Sequence, residues 1–519
     1  MIQKSGANSG PELLVELDRA ARRPLRAQLE DALREAVRSG RLPANTRLPA
    51  SRALAADLGV SRRLVVDAYA QVSAEGYLLS RRGAGTFVAD AAAASNVPVA
   101  AAPRTAPRFD FFPGYPDLAG FPRRAWMRAL RETLRDAPDR AFGYPDPRGA
   151  TELRRALAEH LRRVRGVFAD PESIVVCAGA AQGFVLLVRA LRAGVRIAVE
   201  DPGLPAHRAI LAAQGARLVA LPVDERGARV HELAAAPGAH PPDAVLVTPA
   251  HQSPTGVALA PPRRAALLAW AAATGGVVIE DDYDAEYRYD RPPLGAMQGL
   301  APDRVVYMGT VSKTLAPALR LGWLVLPPAL IDAVVSEKTL ADHGCPTIEQ
   351  LALARLFESG AYDRHLRQAR RRYRLRRDAL VSAVGRHLPG AAVTGVAAGL
   401  HALVRLAHEV DGIELMRAAE RHSVGVYPLG YGYLEVRPVH DAVVLGYANL
   451  SEPAIEEGIR RLALALAECP APGARLRRSR SPARRASGAP AQARRRTGGR
   501  SRGSDGRSTR PCRGAPDSG

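Results

Sequence analysis

"GTVSKTLAPALRLGW", Gly309 to Trp323, holds one of three lysines in a chain of 519 residues. The others are Lys4 and Lys338, and the remaining 70 of the 73 basic residues are arginine. A sequence that writes arginine almost everywhere keeps an amine here, between the hydroxyls of Ser312 and Thr314. An amine forms a Schiff base with an aldehyde, whereas a guanidinium, always protonated, cannot. The stretch therefore points to covalent capture of a carbonyl, and to a fold that presents Lys313 for it.

Around that stretch, apolar runs of strand length alternate with helical patterns. "SIVVCAG", "RIAVED", "RLVALPVD", "AVLVTP", "GVVIEDDYD", "RVVYMGTVSK" and "LGWLVLP" are separated mostly by Ala/Leu/Arg helices. Continuous Val/Ile runs predict strands buried on both faces, hence an α/β domain with a mostly parallel sheet and helices on both sides. In such sheets ligands bind beyond the carboxyl ends of the strands, where the chemistry-bearing residues of this sequence cluster. In "VVIEDDYDAEYRY" Asp281 and Tyr283 are two apart and share a face if the strand continues. A carboxylate beside a phenol suits a ring that needs one charge partner and one hydrogen-bond donor; the same acids would also suit a solvated loop. "CAGAAQGFVLLVRAL" reads as strand, Gly179, then a helix start at Ala180 to Gln182, whose free N–H groups suit a phosphate. Thr310, Ser312 and Arg320 flank Lys313 with two hydroxyls and a guanidinium, all good phosphate ligands.

These needs converge on pyridoxal phosphate (PLP): an amine for its aldehyde, a carboxylate for its pyridine nitrogen and an anion site for its phosphate. Over roughly Phe109 to Glu468 the motifs "YPDPRG", "GAAQ", "HQSPTG", "EDDYDAEYRY" and "GTVSKTLAPALRLGW" resemble fold-type I aminotransferases, in order. The resemblance implies a smaller C-terminal α+β subdomain and assigns roles. Lys313 is the catalytic lysine that holds PLP as a Schiff base, Asp281 pairs with the pyridine nitrogen and Tyr283 bonds the ring hydroxyl. Ala180, Ala181, Thr310, Ser312 and Arg320 bind phosphate, and Tyr144 reaches the phosphate of a neighbouring subunit. Two positions depart from the pattern. Ser253 in "SPTG" stands where the family carries Asn or an aromatic, at the ring-side contact. Ala442 stands where many aminotransferases place an arginine for the substrate carboxylate; Arg437 and His440 lie close by in sequence. His251 and His231 show no partner in the sequence and are read as structural.

The N-terminal region reads as a second folded unit. Leu25, Leu29, Ala32, Leu33 and Ala36 recur at helical spacing, with Gly40 as the stop. "PASRALAADLGVSRRLVVDAYAQVSAEG" gives two short helices, capped by Ser51 and Ser61, with Leu54, Ala55 and Leu58 buried on the first and Val65, Ala68, Tyr69 and Val72 on the second. Arg62 and Arg63 are left outside on the first turn, where a helix-turn-helix protein meets DNA. "GYLLSRRGAGTFV" reads as two strands with Arg81 and Arg82 at the tip. Arg19 to Ala89 resembles the winged helix-turn-helix of GntR-type regulators. That resemblance implies that Arg47, Ser51, Arg52, Ser61, Arg62, Arg63, Gly85 and Thr86 lie near double-stranded operator DNA.

The net charge of +21 sits at the two ends of the chain. Residues 19–88 carry 13 arginines against 6 acids, and the segment after Pro470 carries 14 against 2. That last segment has almost no large apolar side chains and is predicted to be disordered, either a solvated tail or a non-specific polyanion contact. The expected organisation is a flexible N-terminus (1–18), a winged helix (19–89), a Pro/Ala linker (90–107), a PLP-binding domain (108–469) and a tail (470–519). Four scattered cysteines, with no CxxC pair, argue against a disulfide framework or metal site and fit a reducing cytoplasm. No apolar run reaches the roughly 18 residues of a membrane helix, and "MIQKSGANSG" has no signal-peptide core.

A winged helix, a linker and an aminotransferase-like domain together resemble the MocR-type, or GabR-like, regulators, which implies a head-to-tail homodimer. Three functions follow as expectations: a PLP-dependent regulator answering to an amine or amino acid, a working aminotransferase with an appended DNA-binding domain, or a sensor of PLP itself.

Overall fold

The computed structural model describes residues 17–90, 107–233, 240–284, 286–289 and 294–469. The expected flexible N-terminus, linker and tail fall almost entirely outside the described residues. The chain divides into two compact units, Met1–Arg104 and Thr105–Gly519.

In the first unit, α1 (Leu25–Arg38), α2 (Ser51–Asp57) and α3 (Arg62–Ala74) precede a hairpin of β1 (Leu78–Arg81) and β2 (Gly85–Val88). The apolar stripes meet in one core: Leu29, Leu33, Val65, Ala68 and Val72 are fully buried, joined by Leu54, Leu78 and Val88. Burying each large aliphatic side chain contributes about 1.5–3 kcal/mol, which is how three short helices and a hairpin stay folded. Ser61 caps α3, its hydroxyl accepting from the Leu64 N–H at 3.2 Å. Ser51 does not cap α2. Ala50 takes the cap position, with φ −58° and ψ 140°, and Ser51 is the first helical residue, its side chain free for another use.

The second unit opens with β3 (Phe109–Asp110). Its main sheet comprises β4 (Ile174–Cys177), β5 (Arg196–Asp201), β6 (Arg217–Asp224), β7 (Gly227–Ala228), β8 (Ala244–Val247), β9 (Val277–Asp281), β10 (Val305–Thr310) and β11 (Gly322–Val325). Their spatial order is β4-β11-β10-β9-β8-β5-β6-β7. The strands from β10 to β6 are all parallel, and β11 runs antiparallel to both β10 and β4. The sheet is thus mixed but mostly parallel, and every predicted strand is present. Residues of β4, β8 and β10 are buried throughout, as strands covered on both faces must be. Then follow β12 (Ala392–Thr394), β13 (His401–Asp411), β14 (Val424–Gly425), β15 (Tyr427–Pro428) and β16 (Val439–Gly446). A second sheet has the order β12-β13-β16-β15, while β14 pairs with β3. Helices Ala361–His387 and Glu452–Ala467 pack together in this smaller subdomain. Among the described residues no helix is long and apolar enough to cross a membrane.

Candidate functional sites

In the first unit the residues singled out from sequence are at the surface, and four of them share a groove. Arg52, Arg62, Arg63, Arg81 and Arg82 are exposed. The Arg63 side chain is 90% exposed and comes no closer than 3.9 Å to Asp67. A groove of about 380 Å³ brings together Arg47, Ser51, Gly85 and Thr86 with Val66 and Ala70 of α3. The Arg47 guanidinium lies over Gly85, where φ is +110° and a Cβ would approach Arg47 Nε to 3.1 Å. Glycine is therefore needed both for the turn and for the close passage of Arg47. Arg81 ends β1 with its guanidinium 5.0 Å from the Phe87 ring centre, so Arg82, not Arg81, occupies the tip.

In the second unit a cavity of about 260 Å³ lies at the carboxyl ends of the parallel strands. Lys313 reaches it from the turn after β10, Asp281 from the end of β9, Ala180 and Ala181 from the first turn of helix Ala180–Leu191. Tyr283, Ser253, Thr310, Ser312 and Arg320 also line it. Burial pulls the Lys313 pKa down, against Asp284 and Asp281, the direction that makes an amine a nucleophile. Gly114 passes so close that a Cβ would sit 3.2 Å from Lys313 Nζ.

Asp281 is 2% exposed and neither carboxylate oxygen has a hydrogen-bond partner. Burial, then Asp282 and Asp284, raise its pKa to about 8. The nearest basic group is His207 Nδ1, 3.5 Å from Oδ2, itself held neutral by burial and by Lys313, with a pKa of about 4. Beside it Asp282 is paired through one oxygen, Oδ2, which accepts from Arg165 Nε and the Tyr307 hydroxyl at 2.7 Å each, while its Oδ1 has no partner.

At the other end of the cavity the Thr310 and Ser312 hydroxyls are 2.9 Å apart. Gly179, with φ +80°, turns the chain into the helix start at Ala180. The Arg320 guanidinium donates to the Ala178 carbonyl at 2.5 Å. Arg320 itself has a left-handed backbone, φ +49°. Two hydroxyls, free helix N–H groups and a guanidinium make an anion site.

Other expected residues lie elsewhere. Tyr144 is 94% exposed and borders a different surface cavity, beside His343 and Gly344. Ala442 sits in an apolar cluster with Leu403, Leu429 and Val444. Arg437 stacks on Tyr433, 3.9 Å from the ring centre, and neither it nor His440 lines the cavity. Among the described residues, Arg320 is the one guanidinium that does. His231 is exposed. The reading of His251 as partnerless is wrong: its Nδ1 lies 2.9 Å from Asp284 Oδ2 and 3.3 Å from the Tyr283 hydroxyl. His207 and His401, both lining the cavity, were missed. His207 was findable, because its helix, Pro205–Ala213, follows the carboxyl end of β5 directly.

The comparisons with known proteins bear on both units. Residues 25–88 match the family of bacterial regulatory proteins of the gntR type, and residues 114–462 match the aminotransferase class I and II family. The chain is 36% identical over 473 residues to the probable rhizopine catabolism regulatory protein MocR of Rhizobium meliloti, covering 86% of this chain and 95% of that one. The chain belongs to the MocR-type regulators. It is 37% identical over 382 residues to the pyridoxine biosynthesis transcriptional regulator PdxR of Corynebacterium glutamicum, covering 73% of this chain and 82% of that one. The second unit of this MocR-type chain has the fold of kynurenine aminotransferase from Pyrococcus horikoshii (TM-score 0.65, 28% identity, 70% of this chain and 92% of that one). MocR-type chains are transcriptional regulators that join a gntR-family helix-turn-helix to an aminotransferase-like domain, a family fold associated with PLP.

Proposed function

We propose that this regulator holds PLP on Lys313 and that the state of that pocket sets its affinity for operator DNA. The observation that carries the reading is Asp281, a buried carboxylate with no hydrogen-bond partner, facing the same cavity as Lys313. Such a group is expensive to leave unpaired, and the protonated nitrogen of a pyridine ring would complete it. Tyr283 would donate to the ring hydroxyl, with Ser253 at the ring's side. Thr310, Ser312, Arg320 and the N–H groups at Ala180 and Ala181 would take the phosphate. When bound, PLP supplies an aldehyde that captures amines. Lys313, its pKa lowered by burial, is the group such an amine would displace.

The effector is PLP itself or an amine or amino acid that reaches Lys313. Efficient turnover as an aminotransferase is not favoured, because Ala442 lies among apolar side chains and Arg320 belongs to the anion end. Positioning of a substrate contributes about 7–11 kcal/mol to such reactions. On the DNA side, Arg47, Ser51, Arg52, Ser61, Arg62, Arg63, Arg81, Arg82, Gly85 and Thr86 would contact the duplex, with Arg62 and Arg63 leading into the major groove. A head-to-tail homodimer would bring the exposed Tyr144 of one subunit to the phosphate of the other. The test is direct: the purified chain should absorb in the visible, and borohydride should fix PLP to the Lys313 peptide. A colourless protein that cannot be loaded with added PLP would overturn the reading.

A further inference from the structure

Behind Tyr283 lie three buried groups that the proposed function leaves unused: His251, Asp284 and His401, exposed by 2%, 1% and 2%. Their polar atoms come within 4.8 Å of one another. His251 faces acceptors on both sides, Asp284 Oδ2 at 2.9 Å from Nδ1 and the Gly395 carbonyl at 3.4 Å from Nε2. An imidazole between two acceptors must carry both protons to satisfy them. Burial pulls its pKa down, but the Asp284 charge and hydrogen bond leave it above the ordinary value. The loop that holds this ion pair is shaped to it: a Cβ on Gly399 (φ +80°) would collide with both the His251 ring and Asp284 Oδ2.

His401 packs beside this cation, with ring centres 5.0 Å apart and the rings tilted by 46°. Burial, and then the neighbouring His251 charge, hold it neutral, with a pKa of about 3. Neither of its ring nitrogens makes a well-formed hydrogen bond; the Pro254 carbonyl comes close enough only to raise its pKa a little against the larger effect of burial. It lines the cavity that contains Lys313. A neutral imidazole has one donor and one acceptor, and a buried polar group left unmade is destabilising. The ligand group that satisfies both nitrogens offers a donor and an acceptor together. A hydroxyl or a carboxamide does so; a carboxylate, acceptor only, leaves one nitrogen orphaned. Arg208, the guanidinium closest in sequence to the cavity residue His207, is turned to Asp201 and to the Tyr431 carbonyl, at 3.4 and 3.3 Å.

We infer that His401, backed by the Asp284–His251 ion pair, is the specificity-determining residue of the effector pocket and selects an amine that carries an uncharged hydroxyl or carboxamide. The inference rests on PLP being held at Lys313. The test uses the full-length, PLP-loaded protein and four small probes: ethylamine, ethanolamine, glycinamide and glycine. The readout is the visible-band change as each amine displaces Lys313. Wild type should bind ethanolamine and glycinamide about tenfold more tightly than ethylamine, the size of one or two net hydrogen bonds, and more tightly than glycine. His401→Phe should bring the affinity ratios of ethanolamine and glycinamide to ethylamine down to about one. His401→Gln, which keeps a donor and an acceptor, should restore part of the preference and guards against a variant that merely misfolds. A preference for glycine, a preference that survives His401→Phe, or stoichiometric zinc bound by His251, Asp284 and His401 would each overturn the inference. Absence of a PLP band in wild type would instead sink the reading beneath it.

Discussion

The arginine-bearing surface proposed to face DNA in the first unit and the lysine pocket of the second handle charge in opposite ways. Around α3 the arginines stand in water on a rigid scaffold; Arg63 is 90% exposed and its nearest acid is 3.9 Å away. In the pocket Asp281 and His401 are 2% exposed and neither makes a well-formed hydrogen bond; burial pushes the Asp281 pKa up to about 8 and the His401 pKa down to about 3. Exposed charges act additively and at a distance, so each can be lost separately. Desolvated ones are kept at a standing loss of stability that a ligand repays, and each has one job. The contrast predicts graded losses on the DNA side and an abrupt one in the pocket.

The largest effect should come from Lys313→Ala. The visible band should vanish, and mass spectrometry after borohydride should find no PLP adduct; an adduct on another residue would break the contrast, since a second amine could then do the same work. Next is the pair Arg62→Ala and Arg63→Ala. Each should weaken specific operator binding by about 1–3 kcal/mol without moving the PLP band, as mobility-shift titrations at fixed salt would show. A change in the band would mean that the two units do not act separately.

Asp281→Asn sharpens the comparison because it should cut both ways. PLP affinity should fall about 10- to 100-fold, the weight of a charged hydrogen bond of roughly 1.5–3 kcal/mol. In the PLP-free protein the same change should raise stability. The Asp281 pKa goes up from 3.8 to about 8 on folding, so the folded state binds the extra proton and wild type loses stability as pH rises between those values. Thermal melts of the two PLP-free proteins should nearly coincide at pH 4 and diverge up to pH 8. A gap that is flat with pH would show that Asp281 has a partner after all. The smallest effect should follow deletion of the residues after Pro470. Only the salt dependence of non-specific DNA binding should become shallower, with specific contacts and the PLP band unchanged.

The strands of the main sheet were legible because burial on both faces writes itself as unbroken Val/Ile runs, as in "SIVVCAG" and "AVLVTP". Ser61 was legible as a cap because a hydroxyl followed by a helical apolar stripe has few other uses. Ser51 looked the same but is displaced by one residue, since Ala50 already has the extended backbone that a cap requires. Asp281 and Tyr283 were paired by a strand spacing of two, but β9 ends at Asp281 and Tyr283 follows it in the turn; the turn still brings both to the cavity. The Asp284–His251 contact spans 33 residues and joins the loops after adjacent parallel strands β8 and β9. It becomes visible only once the strand order is known. His401 arrives from the start of β13, in the other sheet, and no local pattern marks it.

Arg320 offers a way to read lineage. Its left-handed backbone, φ +49°, is one that glycine or asparagine adopts with ease, and for most other residues such a conformation is a burden of about 1–3 kcal/mol. Random drift should therefore erode arginine there unless its side chain is under selection. Descendants that gave up their anion ligand would be free to accept Gly or Asn at this position and gain stability by doing so. Among duplicated copies in one genome, this single codon would separate those still selected for a filled pocket from those retained as DNA-binding scaffolds alone.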